Sequence, residues 1–286
     1  MNGGNGAPEQ LVEGEPRGNA LATAAESSDR GPTGFRSRWL SPALALPEGR
    51  VGRFLFELLL ILVGYFSYHL VRGAVNGRVE DAFINAASLI RLEQSLGIFW
   101  EVQLQGLILS NAFLIDFFNW VYIWGHIPIV GALAFWIYFF RRHYFARYRN
   151  AFLISGAIGL VFFVTLPVAP PRMLPEAGFV DTVTLYNNAY RVLQPPAFVN
   201  QYAALPSLHF GWNLLVGLAV FQTTRVWYAK AFGLLMPSLM FIAVILTANH
   251  YILDPLIGGT IALVALGIAG LLHRRFEGTR LHTVLV

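Results

Sequence analysis

The chain has 286 residues, of which 56% are hydrophobic and only 13% charged, and its mean hydropathy is +0.54. A soluble domain carries about 25% charged residues, so this composition excludes an ordinary soluble enzyme and indicates a membrane protein. There is no cysteine, which excludes disulfides, thiolate chemistry and Cys-ligated metal, and the net charge of +4 rests on 20 basic residues of which only Lys230 is a lysine.

Residues 1–50 are rich in Gly, Pro, Ala, Glu and Arg and lack apolar periodicity, which predicts a disordered cytoplasmic segment. The basic start and apolar centre of a signal peptide are missing. A membrane domain is expected over residues 51–273, with a short cytoplasmic tail at 274–286. Six apolar spans are predicted: Phe54–Val75, Ala112–Phe140, Ala151–Val168, Ser207–Thr223, Ala231–Ala248 and Ile252–Leu272. The first, at 1.5 Å per residue, is about 33 Å long, enough to cross a bilayer. The fold class expected is therefore an all-α integral membrane protein with six transmembrane helices.

Arg and Lys placement orients these spans. With the N-terminus inside, thirteen basic residues lie near the cytoplasmic face, many of them in an expected Arg141–Arg149 loop. Five (Arg72, Arg78, Arg91, Arg172 and Arg191) lie on the other face. The basic charge reads as topological and not as a nucleic-acid surface. Both termini should be cytoplasmic. Two further segments, Val79–Leu96 and Trp100–Ser110, suit helices at the non-cytoplasmic interface. Ala82, Phe83, Ala86, Leu89, Ile90 and Leu92 recur in the first at helical spacing, with Glu80, Asp81, Arg91 and Glu93 interspersed. They serve either as packing over the bundle or as a lipid entrance.

Three polar islands interrupt the apolar second half: Pro170-Pro171-Arg172, Pro206-Ser207-Leu208-His209 and Asn249-His250-Tyr251-Ile252-Leu253-Asp254. Ionisable groups at span ends are expensive unless they have partners and a task. An even number of expected crossings separates the islands, so all three fall on the non-cytoplasmic face. Their residue types suit phosphoryl transfer. A neutral imidazole attacks phosphorus and splits one displacement into two, and His250 is the expected nucleophile. Asp254, four residues on, can hold the Nδ1 proton, and His209 can protonate the leaving alkoxide and then activate the acceptor. Arg172 and Ser207 are the expected phosphate ligands, one a planar cationic fork and the other a hydroxyl at a proline-led helix start.

These islands resemble the motifs of the type 2 phosphatidic acid phosphatase superfamily, PAP2. The branch they most resemble contains the inositol phosphorylceramide synthase-like proteins. Glu93-Gln94-Ser95-Leu96-Gly97-Ile98 and Tyr122-Ile123-Trp124-Gly125-His126 are also similar to that branch. The resemblance implies a six-helix core, no metal or other cofactor, and a phosphohistidine on His250 with Asp254, His209, Arg172 and Ser207 in the roles just given. It also departs from the usual superfamily pattern. Thr165 stands where a lysine precedes the first-motif arginine, and Val244 where an arginine precedes the nucleophile. Arg191 and Asn249 are the candidates to compensate; otherwise the substrate carries less charge, as a diester would.

Asp116, Asn119, Tyr122 and His126 should form one interior stripe of the second span, either a buried hydrogen-bond network or a wall of a headgroup pocket. Tyr122 and His126 are placed on the pocket side by the family likeness. The partners expected are a lipid phosphate, the bilayer and an alcohol acceptor such as inositol, with no nucleic acid. Hydrolysis and transfer use the same histidines and both stay open. A non-enzymatic carrier is the alternative from another class, although no inverted repeat or paired broken helices appear. A bis-histidine haem protein is a third; it leaves Arg172, Ser207 and Asp254 without purpose.

Overall fold

The structure is a computed structural model that describes residues 49–75, 78–186 and 201–276. The expected disordered N-terminal segment, Arg191 and most of the expected tail lie outside the described residues. Ten α-helices run through the described chain: α1 Arg50–Val75, α2 Val79–Ser95, α3 Glu101–Leu109, α4 Ala112–Trp124, α5 Ile127–Phe140, α6 Arg142–Thr165, α7 Thr182–Tyr186, α8 Leu208–Thr223, α9 Trp227–Leu246 and α10 Leu253–Phe276. Among the described residues there is no strand, only an isolated parallel bridge between Val168 and Ala203.

By length and composition α6, α9 and α10 can each cross a bilayer, and α4 with α5 makes a fourth span if the bent pair counts as one. Against the six crossings expected, three to four meet those criteria among the described residues. Large apolar side chains face outward on these helices, among them Phe135, Phe139, Val161, Leu234, Leu263 and Leu271. Such a surface suits lipid, where the helical backbone satisfies its own polar groups.

The single span expected over Ala112–Phe140 is two helices bent by 43° at Gly125-His126. Pro128 explains the break: it has no N–H for the Trp124 carbonyl and its ring would clash with that group, a cost of about 3 kcal/mol in a continuous helix. The Arg141–Arg149 segment also differs from expectation. It is not a loop but largely the first two turns of α6, and Arg149 forms an ion pair with Glu57 of α1 at 2.5 Å.

Helix α8 packs against α6, α9 and α10. Leu215, Val216 and Ala219 of α8 share a core with Tyr148 and Ala151 of α6, Ala262 and Leu266 of α10, and Ile137 of α5. Gly258 of α10 lies against the Ser207 backbone, so close that any Cβ there would collide with it. This contact sets the start of α8 directly on the start of α10.

The segments expected at the interface form α2 and α3. Ala82, Ala86 and Leu89 of α2 are buried, and Phe83 and Ile90 pack beside them. Leu92 is exposed, while Glu93 takes the next buried place on the stripe. Gln105 of α3 is buried: it donates to the Val180 carbonyl (2.8 Å) and the Leu246 carbonyl (3.3 Å), and accepts from the Val180 N–H (3.0 Å). Both helices are thereby fastened to the ends of the bundle.

Candidate active site

Backbone hydrogen bonds lace the three polar islands together. The Val168 N–H donates to the Tyr202 carbonyl (2.9 Å) and the Ala204 N–H to the Val168 carbonyl (3.3 Å). The Arg172 N–H donates to the Ala248 carbonyl (2.7 Å), and the Ser207 N–H to the Asp254 carbonyl (3.0 Å). The buried Tyr251 hydroxyl closes the set by donating to the Ala169 carbonyl (3.0 Å). Each island leaves backbone groups unpaired at a helix end, and buried groups of that kind must find partners. Here they find one another.

His250 follows the end of α9. The Ala248 N–H bonds the Ile245 carbonyl, and the Asn249 and His250 N–H groups both bond the Val244 carbonyl. This is the double closure of a Schellman cap. Its left-handed residue is Ala248, at φ +53°, where glycine is usual. A non-glycine residue pays about 1 kcal/mol for that conformation. The cap turns the chain sharply enough to aim the next side chains back into the bundle.

The His250 Nδ1 lies 2.7 Å from the Ala204 carbonyl and 3.2 Å from Asp254 Oδ2. Both neighbours are acceptors, so Nδ1 carries the proton and Nε2 keeps its lone pair. Asp254 Oδ2 also accepts from the Tyr251 N–H at 3.0 Å. Burial pushes the His250 imidazole down to about 3, against the pull of the Ala204 hydrogen bond and with the aid of the Arg172 charge. The ring is therefore neutral at ordinary pH.

The His209 ring centroid lies 5.8 Å from that of His250. His209 also stacks on Tyr122 (4.6 Å, 22° between planes) and packs at a tilt against His126 (4.3 Å, 34°), and His126 stacks in turn on Trp212 (5.5 Å). The break between α4 and α5 brings His126 to this wall. Its Nδ1 is buried without a protein partner. Of the expected interior stripe, Asn119 instead exchanges hydrogen bonds with Thr182. Asp116 is exposed, because the stripe runs through Ile115, Asn119 and Tyr122 and leaves position 116 about 100° around the helix.

Arg172 Nη1 donates to Asn249 Oδ1 at 2.5 Å. The Asn249 amide is spent on the Thr247 carbonyl (3.2 Å) and hydroxyl (2.8 Å). Asn249 thus steers the guanidinium and keeps no donor for a substrate. Ser207 is fully buried and accepts from the Phe210 N–H at 3.4 Å, capping α8 while its own hydroxyl proton stays available. Neither departure from the usual pattern is repaired in place. Thr165 bonds back to the Val161 carbonyl of its own helix, and Val244 is buried in the α4–α9 core.

Two acidic residues behind His250 were not expected here. Glu93 and Glu101 are both fully buried, and their Oε1 atoms accept the Leu253 and Ile252 N–H groups (2.8 and 2.9 Å). Glu93 does stand out in sequence, but only as part of a similarity motif on an interfacial helix.

The fold and site define a helical membrane protein whose two histidines and one aspartate meet beside a fixed guanidinium. The chain belongs to the PAP2 superfamily, whose family model matches residues 87–268. A phosphoinositol dihydroceramide synthase of Bacteroides thetaiotaomicron is 26% identical to it, over 69% of this chain and 70% of the relative. No solved structure shows a significant match.

Proposed function

We propose that the chain is a membrane phosphotransferase acting on a lipid phosphodiester through a phosphohistidine on His250. The active site faces the non-cytoplasmic side of a bacterial inner membrane, beneath six spans with both termini in the cytoplasm. The observation that carries this reading is the His250 ring, with Nδ1–H held by two acceptors, Nε2 left unprotonated with its lone pair, and His209 opposite.

In the first step His209 carries a proton taken up with the bound phosphate anion, His250 Nε2 attacks phosphorus, the bond to the leaving oxygen breaks, and His209 gives that oxygen its proton. Positive charge on the phosphorylated ring is met by Asp254 through Nδ1–H. Arg172 and the start of α8 receive the phosphoryl oxygens. In the second step an acceptor hydroxyl gives its proton to His209, its oxygen attacks phosphorus, and the P–N bond breaks.

The charge balance favours a diester. A phosphate monoester brings about two negative charges, and positions 165 and 244 supply no cation; one guanidinium suits the single charge of a diester. Membership of a family with a phosphoinositol dihydroceramide synthase among its relatives supports a phosphoinositol headgroup as the group moved. The test is to incubate purified protein with labelled phosphoinositol lipids, with and without lipid alcohols. A new phosphodiester lipid supports transfer. Release of a water-soluble phosphate ester irrespective of alcohol replaces transfer with hydrolysis, and no product from folded protein refutes the reading.

A further inference from the structure

The start of α10 lacks a local cap. Ile252, the residue before the helix, has no side-chain acceptor, and Pro255 has no N–H. The Asp254 N–H is met by the Tyr251 carbonyl at 3.2 Å. The two remaining donors, on Ile252 and Leu253, are met from outside, by Glu101 of α3 and Glu93 of α2. These are the residues between the His250 ring and its Asp254 partner, so whatever fixes their backbone fixes the geometry of the pair.

The two carboxyls also meet each other. Accepting from adjacent N–H groups brings the two carboxyls to the same place, and both Oε2 atoms are buried with no hydrogen-bond partner among the described residues. Two carboxylates buried side by side would repel; one proton between them satisfies both atoms. Two further groups bear on them, the Asp254 carboxyl of α10 and the Tyr251 phenol, and Tyr251 in turn feels the charge of Glu176 in the 3-10 turn Pro175–Ala177. Apart from the Tyr251 phenol, these neighbours are acidic, which disfavours a second negative charge in the pair.

We infer that Glu93 and Glu101 form a proton-sharing pair that acts as the positioning element of His250, with its single negative charge and two acceptor oxygens holding the Ile252–Leu253 backbone under the nucleophile. The proposal rests on the phosphohistidine reading for its catalytic consequence, but the pair itself stands on geometry. Burial, followed by the hydrogen bond to Glu101, pushes the Glu93 carboxyl up to about 9. Ionisation of the second carboxyl then opens the pair in the alkaline range.

The variant that separates this from mere structure is Glu93→Gln. Its amide oxygen still accepts from Leu253 and its NH2 donates to the Glu101 carboxylate, so the link persists without a titrating proton. Wild-type turnover should fall as pH rises through about 9, and Glu93→Gln should remove that limb while keeping neutral-pH turnover within about threefold, both hydrogen bonds being preserved. Glu93→Ala leaves a buried N–H unpaired and should lose about 5- to 150-fold.

Two readouts need no substrate. Thermal unfolding of the detergent-solubilised protein should show stability falling from about pH 6.5 to 9 in wild type, above the window in which His250 contributes the opposite slope, because the folded pair holds a proton the unfolded chain releases near 4.5. Glu93→Gln should flatten that slope. In 15N spectra of the His250 ring, the Nδ1-protonated signal should persist in Glu93→Gln and broaden or shift in Glu93→Ala. If wild type turns over no lipid, the proposed function fails, and the slope and the ring signal then decide the pair on their own. An unchanged slope in Glu93→Gln, or a His250 signal and turnover equal in the Gln and Ala variants, overturns the inference.

Discussion

Replacing Asp254 by asparagine tests how His250, the proposed nucleophile, is held. In a serine-protease triad the same change costs about 10⁴ in turnover, because the imidazole adopts the wrong tautomer. Here the shorter contact of His250 Nδ1 is with the Ala204 carbonyl, at 2.7 Å against 3.2 Å to Asp254. A carbonyl only accepts, so Nδ1 keeps its proton whatever occupies position 254. The tautomer penalty therefore vanishes. What remains is the carboxylate's support for a positive ring, one charge-assisted hydrogen bond worth about 1.5–3 kcal/mol.

At about 1.4 kcal/mol per tenfold, that is a loss of about 10- to 150-fold in kcat. The Asn oxygen should keep the place of Oδ2, since both His250 Nδ1–H and the Tyr251 N–H donate there. Its NH2 then takes the place of Oδ1, which has no protein partner, so a stability loss of about 1–3 kcal/mol accompanies the change. The assay is single-turnover conversion of a phosphoinositol lipid by folded variant, with unfolding followed by tryptophan fluorescence. A loss near 10⁴, or none, refutes the claim that Ala204 sets the tautomer.

Three other outcomes are expected. His250→Ala should reduce turnover to background and abolish acid-labile phosphate incorporation, and residual covalent labelling would place the nucleophile elsewhere. Asn249→Ala frees the Arg172 guanidinium; ordering one long side chain costs about 0.5–1.5 kcal/mol, so KM should rise about 2- to 13-fold, and an unchanged KM counts against steering. The depressed His250 means that the unfolded chain binds a proton at about 6.5 that the folded chain refuses until about 3, so stability should fall as pH drops through that window and His250→Asn should blunt the fall.

Much of the site is legible in the sequence alone. His209, His250, Asp254 and Arg172 stand out because charged groups in apolar surroundings are too costly to keep without a task, and their separate islands do converge. Hydropathy reads the second span as continuous although Gly125 and Pro128 announce the break; it averages over a kink that backbone sterics cannot ignore. Glu93 and Glu101 are unreadable for a different reason. A carboxylate on an amphipathic helix looks like a solvated residue, and its partners at Ile252 and Leu253 are about 150 positions away, beyond any local pattern. Asn249 reads as a phosphate ligand because its side chain is polar and near; only the geometry shows that Arg172 and Thr247 consume it.

The lacing of the three islands bears on when activity can arise during synthesis. Ser207, Arg172 and Ala204 acquire their partners from residues 248–254, which lead into and open the last described helix. A nascent chain that has not yet delivered α10 has no Asp254 to brace the ring and no Gly258 seat for the start of α8. Truncated products, incompletely inserted chains and early folding intermediates should therefore be chemically silent. Under the proposed function, the arrangement keeps an unfinished protein from cleaving the lipids that surround it.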